Sequence, residues 1–281
     1  MKQEQSTYFI NSKHDALDLD LNEVWRYRDL LGLLVKRDFI TFYKQTVLGP
    51  LWFVIQPLLT TFVFIVLFGN IAKISTDGLP QILFYLSGIT VWNYFSESLT
   101  KTSSVFKDNS ALFGKVYFPR LIMPLSIIVS ALMKFAVQFV IFLMILAYYM
   151  VFTDQVHPNI WVLALPFLIF LMAIFALGLG MIFSSLTTKY KDLTFLLAFG
   201  IQMGMYVSPV AYPISALPEK YRFFVYANPL SSIFECFRYG FLGAGDFQLI
   251  NLVWSALFIF AILIIGTVIF NKVEKSFMDT I

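Results

Sequence analysis

The 281-residue chain is 59% hydrophobic, 18% aromatic and only 13% charged, against roughly 25% charged residues in a soluble domain. That composition excludes a fold built around one water-soluble core and predicts a polytopic membrane protein. The net charge of +3 is scattered between apolar runs and forms no basic stripe, which argues against a nucleic-acid partner, and the single Cys236 excludes an intramolecular disulfide or a cysteine metal cluster.

Residues 1–27 read as a cytoplasmic tail, in which Asp15, Asp18, Asp20 and Glu23 alternate with Leu17, Leu19 and Leu21. The N-terminus shows no short apolar core of a cleaved signal, so the first span is expected to stay in the mature protein. Residues 28–46 predict an amphipathic interface helix. At 100° per residue, Leu31, Val35, Phe39 and Phe42 share one side, and Arg37, Asp38, Thr41, Lys44 and Gln45 the other. Such a helix suits an anionic leaflet, with Pro50 opening the span that follows.

Six apolar runs have spanning length, given that about 20 residues cross the hydrocarbon. They fall near 51–71, 82–100, 121–152, 160–184, 193–211 and 249–270, and make 47–281 an all-α, six-span transmembrane domain. The third run is longer than a bilayer needs and is expected to tilt or project. Of the 20 lysines and arginines, most lie before span one and between spans two and three, four and five, and after six. Only Lys73, Lys220, Arg222 and Arg238 lie on the other side, and Lys134 within span three. The positive-inside rule then places both termini in the cytoplasm.

Two loops look structured. Ser103 and Ser104 ahead of Phe106 and Phe113 predict a short helix over about 103–115, with an apolar side able to rest on a partner. Externally, Pro218, Asn228-Pro229 and Gly243 bracket two short apolar helices, 218–227 and 231–242. The second is expected to start at the Ser232-Ile233-Phe234-Glu235 capping box. Both are too short to span, and resemble re-entrant elements lying where protein or water meets their backbone ends.

No G-x-x-x-x-G-K-[ST] loop is present: Gly114-Lys115 has Asn109 where the first glycine belongs, so this chain is not expected to bind ATP by that route. His14 and His157 form no metal-binding pattern, and no catalytic or cofactor site is suggested. Inside the spans, Glu97 and Lys134 stand out, because ionisable groups in hydrocarbon usually face an interior or a pore. A structural pairing between neighbouring antiparallel spans is favoured over substrate contact. Arg28, Lys36, Arg37 and Lys44 suit a phosphate-bearing headgroup or simple anchoring. Trp52, Trp92, Tyr94, Trp161 and Trp254, near span ends, suit an interfacial belt or flat surfaces for sugar rings.

Ordered fragments carry a family resemblance. Trp25-Arg26-Tyr27-Arg28, Lys36-Arg37-Asp38, Tyr43-Lys44-Gln45-Thr46-Val47-Leu48-Gly49, Trp52 and Gln56-Pro57 look like the opening of membrane subunits of ATP-binding-cassette polysaccharide exporters. Lys115 to Arg120, Met123-Pro124, Tyr212-Pro213, Leu217 to Lys220, Asn228-Pro229 and Phe237-Arg238-Tyr239-Gly240 follow in the same order. Within that family the chain most resembles inner-membrane permeases for the O-antigen of lipopolysaccharide, with capsule and teichoic-acid permeases as near relatives.

The resemblance implies a dimer of this chain with two copies of a cytoplasmic ATPase, which binds the ATP and Mg, and a cargo polymer on a polyprenyl pyrophosphate threaded through a channel. It implies coupling to the ATPase through Ser103, Ser104, Phe106, Phe113 and Lys115. An external gate would include Pro218, Glu219, Arg222, Asn228, Pro229, Phe237 and Arg238, and a headgroup entrance would include Arg28, Lys36, Arg37 and Lys44. Export of a smaller drug or lipid is the alternative, because one membrane fold serves many cargoes.

Overall fold

The computed structural model describes residues 21–44, 47–113, 115, 118–153 and 155–277. The expected tail lies outside the described residues up to position 20, and its last part is a short helix, α1 (Leu21–Arg26). The interface helix is α2 (Arg28–Lys44). It buries Leu34 and Val35 and packs on the third long helix, so protein covers part of the side expected to meet lipid. Gly49, at φ +51°, then turns the chain, and Pro50 sits in the first turn of the next span.

That span is α3 (Trp52–Phe64) with a π-helical extension over Ile65–Ile71. There follow α4 (Gln81–Thr102), two one-turn helices α5 (Val105–Asp108) and α6 (Ser110–Phe113), and α7 (Ile122–Phe152). The remainder is α8 (Leu165–Lys189), entered through a 3-10 turn at Ile160–Ala164, then α9 (Leu193–Val207), α10 (Glu219–Ala227), α11 (Pro229–Leu242) and α12 (Leu249–Phe277). The described residues contain helices and no strand.

Among the described residues, four stretches are long and apolar enough to cross a bilayer: Gly49–Ile71, Ile122–Phe152, Ile160–Lys189 and Leu249–Val273. Two of the six expected spans differ from these. α9 has 15 residues, about 22 Å of helix at 1.5 Å per residue, against roughly 30 Å of hydrocarbon. It stops at Val207 because the chain turns at Ser208-Pro209. α4 is long enough, but Ser87, Thr90, Asn93, Glu97 and Lys101 lower its hydropathy. These polar residues recur at helical spacing, on a helix that is the most enclosed of the long ones: every residue from Leu83 to Trp92 is buried. α4 lies against α3, α7, α8, α9 and α11.

Its apolar sides interlock with the neighbours through rings. Tyr94 meets Phe135 of α7 at 5.5 Å, and Phe95 stacks on Phe175 of α8 at 5.3 Å. α8 and α12 approach almost backbone to backbone, where a Cβ on Gly266 would stand 2.4 Å from the Gly178 carbonyl oxygen. Between membrane helices such contact substitutes dispersion for the hydrophobic effect, which lipid cannot supply. Gly266→Leu should therefore force these helices apart and cost about 1–3 kcal/mol, read as a lower unfolding midpoint in detergent. Gly200→Ala, where nothing lies within 4 Å of the new atom, should leave the midpoint unchanged.

Candidate functional site

The residues singled out in the sequence fall into three places. At the α2 end, the cations do not converge. Arg28 and Lys44 stand at opposite ends of the helix, about 24 Å apart at 1.5 Å per residue. Arg28 lies over the Trp25 ring at 5.5 Å, and Arg37 is held by Asp38 at 2.8 Å. Lys36 and Lys44 are exposed. They make a charged surface rather than a pocket.

The 103–115 segment departs from expectation. It forms two single turns instead of one helix, and neither serine caps it: the Ser103 and Ser104 hydroxyls donate back to Thr100 and Lys101 carbonyls at 2.7 and 3.3 Å, and Ser104 also bonds the Asp108 carboxylate. Its apolar side faces its own bundle. Phe106 stacks on Phe270 of α12 at 4.7 Å, and its backbone N–H donates to Ser184 Oγ of α8 at 3.3 Å. Phe113 packs between Phe106 and Phe118, under the Arg120 guanidinium. Thr187 Oγ1 donates to the Ser103 carbonyl at 3.2 Å. What faces outward is charged: Lys107, Asp108 and Lys115 are exposed.

Between α4 and α7, Lys134 Nζ contacts Glu97 Oε1, and Lys101 Nζ lies 2.8 Å from that same oxygen. One turn along, Asn93 Nδ2 donates to Gln138 Oε1 at 3.2 Å. The pairing of Glu97 with Lys134 is therefore present in the geometry, extended by a third charge.

The opposite end holds the most buried charge among the described residues. Arg238 of α11 is 2% exposed. Its Nη1 donates to the Pro209 carbonyl at 2.6 Å and its Nη2 to the Val210 carbonyl at 2.9 Å, while its guanidinium lies 3.8 Å from the Phe84 ring centroid. Ser87 Oγ is 3.5 Å from Nε, and Glu235 Oε1 is 3.9 Å from Nη1. Gly88 makes room, since a Cβ there would stand 2.8 Å from the Val210 oxygen and 3.0 Å from Arg238 Nη2. One side chain thus joins α11, α4 and the turn after α9.

α11 starts earlier than the capping box suggested. Pro229 takes the first helical position and Asn228 is the cap, its Oδ1 accepting from Leu230 N–H at 3.1 Å and its Nδ2 donating to Ser208 Oγ at 2.9 Å. Ser232 is instead buried inside the helix against Ser255 of α12, and Glu235 accepts from the Asp246 backbone N–H at 2.9 Å. Gly243, at φ +76°, ends the helix as expected. Phe237 packs with Phe241 and Phe142 at 4.7 and 5.4 Å.

The two helices expected on the external side are therefore unlike each other. α11 belongs to the core, whereas α10 lies on the surface, burying Val225 while Phe223 and Phe224 stay 74% and 67% exposed. α10 is tethered at its ends. Before it, Pro218 and exposed Glu219 open the helix, and Arg222 donates back to the Leu217 and Ser215 carbonyls at 3.0 Å each. After it, Tyr226 OH donates to Asp246 at 2.7 Å, and burial together with that bond holds the phenol well above its ordinary pKa.

Sequence reasoning missed Ser87, Asn93, Gln138 and Lys101 as members of one polar system. The signal was present: polar residues at 87, 90, 93, 97 and 101 follow the 3–4 spacing of one helix side.

This arrangement defines a helical membrane protein with a polar seam through an apolar bundle and charged groups at both ends. The sequence model for the ABC-2 type transporter matches residues 29–242, and the chain belongs to that family. It is similar to the O-antigen export system permease protein RfbA of Klebsiella pneumoniae, 28% identical over 89% of this chain and 94% of the relative. The Myxococcus xanthus protein of that name is 27% identical over 78% and 82%. The polysialic acid transport protein KpsM of Escherichia coli is 21% identical over 88% and 94%.

Arg238→Met should leave Glu235 and two carbonyls facing an apolar side chain and cost about 3–5 kcal/mol, seen as loss of monodisperse protein or a much lower unfolding midpoint. Arg238→Lys should recover little, because an ammonium cannot reproduce the fork that spans two carbonyls.

Proposed function

We propose that this chain is the membrane permease of an ATP-driven exporter of polysaccharide, working as a dimer with two copies of a separate cytoplasmic ATPase. The observation that carries the reading is the similarity to O-antigen export permeases along 89% of the chain, together with a family match over residues 29–242. Relatives named for capsule polysaccharide export, at 22–24% identity, support capsule polymer as the second reading. In this proposal α4 and α9 complete a six-span domain, both termini are cytoplasmic, and the membrane is the bacterial inner membrane.

The geometry suggests how force enters. A partner pressing on exposed Lys107, Asp108 and Lys115 pushes Phe106, which bears on α12 through Phe270 and on α8 through Ser184. The segment is thus a button seated on two spans, with charge on its outer side for the ATPase and aromatic rings on its inner side for the bundle. At the outer face, α11 is the fixed frame, held by Arg238, and α10 is the part of the gate that moves. A polymer on a polyprenyl pyrophosphate is too long for one closed cavity, so it is threaded, with the cations of α2 receiving the pyrophosphate at the cytoplasmic face.

Cells lacking this chain should accumulate lipid-linked polysaccharide internally, and wild type should restore surface polymer. Phe106→Ala should retain the ATPase on copurification while lowering export at least tenfold, because the outer charges remain and the inner ring is lost. Normal surface polymer in the deletion, with no redundant exporter, would sink the cargo assignment.

A further inference from the structure

The Glu235 carboxyl of α11 is bonded on one oxygen and bare on the other. Its side chain is 3% exposed, and Oε1 is buried with no hydrogen-bond partner. Arg238 does not serve that oxygen: Nη1 stands 3.9 Å away and donates, like Nη2, to the Pro209 and Val210 carbonyls instead. Ser231, one turn earlier on the same helix, does not serve it either, since its buried hydroxyl also lacks a partner. A carboxylate oxygen stripped of water and left unbonded is costly, and a proton placed there removes the cost.

The other oxygen holds the chain that holds α10. Oε2 accepts from the Asp246 backbone N–H at 2.9 Å. The backbone presses on it, for a Cβ on Gly245, whose φ is +136°, would stand 2.9 Å from Oε2. Asp246 Oδ2 in turn accepts from Tyr226 OH of α10 at 2.7 Å. A relay thus runs from Glu235 in the core through Asp246 to the surface helix. The far end of α10 is held separately, by Arg222 on the Leu217 and Ser215 carbonyls, with Ser215 OH donating to Asp77.

Among the described residues, the charged and titratable groups facing Glu235 are Arg238 on its own helix, Asp246 before α12 and Asp77 between α3 and α4; Tyr226 reaches the site through Asp246, and Tyr85 and Tyr212 border Arg238. Burial is the largest influence and pushes the Glu235 carboxyl above the usual carboxylate range, aided by the charges of Asp246 and Asp77 and opposed by Arg238 and the Asp246 N–H. Neutralisation therefore begins at a higher pH than for an exposed glutamate.

We infer that Glu235 is a proton-operated catch on α10: ionised, it grips the Asp246 N–H through Oε2, and protonated at Oε1, it slackens that grip and frees the Tyr226 end of the helix. A hydrogen bond to an ionised acceptor is roughly twice as strong as one between neutral groups, so the proton weakens the link without removing the acceptor, and the change reverses. That α10 belongs to an outer gate rests on the exporter reading above; the catch does not.

The test uses the full-length chain in nanodiscs, carrying a spin label at Phe223→Cys on α10, a 74% exposed position, with Cys236→Ser to leave one thiol. The mobile fraction should rise at least twofold between about pH 7.5 and 5. Glu235→Gln should be mobile at every pH and insensitive to it, and so should Tyr226→Phe, which cuts the relay downstream on the surface helix while leaving Glu235 in place. A label at Leu163→Cys, 79% exposed at the start of α8, should not respond, which separates release of α10 from general loosening. Histidine ordinarily titrates in this range, and His157→Gln should keep the response. A wild-type label indifferent to pH, a response that survives Glu235→Gln or vanishes in His157→Gln, or an equal change at Leu163 would each overturn the catch. Failure here with export intact leaves the exporter reading standing; a responsive α10 in a chain that restores no surface polymer discards that reading and keeps the catch.

Discussion

The structure depends on keeping the polar side of α4 away from hydrocarbon. Ser87, Thr90, Asn93, Glu97 and Lys101 run the length of this helix at helical spacing, and each would face a penalty of several kcal/mol if left unbonded in lipid. Partners on other helices meet the stripe along its length: Arg238 from α11 at Ser87, Gln138 at Asn93, and Lys134 at Glu97. Thr90 and Lys101 are the exceptions: the Thr90 hydroxyl is buried without a hydrogen-bond partner, and Lys101 reaches Glu97 of α4 itself. Because the partners come from different elements, satisfying α4 fixes where α7 and α11 must stand. The remaining helices close around them through rings and glycine contacts.

The same constraint separates the two short helices α10 and α11. α11 supplies a guanidinium that α4 and the turn after α9 both need, so it is drawn into the interior and buried from Pro229 through Arg238. α10 supplies nothing to the seam. It buries Val225 and is tethered through Arg222, Tyr226 and Asn228, with Phe223 and Phe224 left outside. A helix with one buried side chain and tethers near its ends is held less firmly than α11, which is buried along its length. At the other end of the bundle the 103–115 segment shows the opposite design, with rings inward and charges outward.

Much of this was legible in the sequence. Four spans are plain from length and hydropathy, and Gly243 and Pro50 do what their residue types predict. Glu97 and Lys134 could be paired on paper because opposite charges in neighbouring antiparallel spans seldom stay apart. Lys101 escaped because it lies one residue beyond the expected end of its span. The start of α11 was misplaced because two start signals compete within eight residues, and the Ser232 to Glu235 pattern describes side chains used for burial and for Asp246 instead. The Arg238 junction was illegible for a physical reason: its partners are backbone carbonyls at Pro209 and Val210, which carry no side-chain signature.

The central claim, that α4 is an interior helix organised by its polar side and not a lipid-facing span, is tested most directly by tryptophan quenching in bilayers containing brominated phosphatidylcholine. Trp92 on α4 is 5% exposed and Trp254 on α12 is 61% exposed. In variants retaining only one of them, with the other tryptophans replaced by phenylalanine, Trp254 emission should be strongly quenched and Trp92 emission nearly unaffected. Equal quenching of the two would place α4 against lipid and contradict the account.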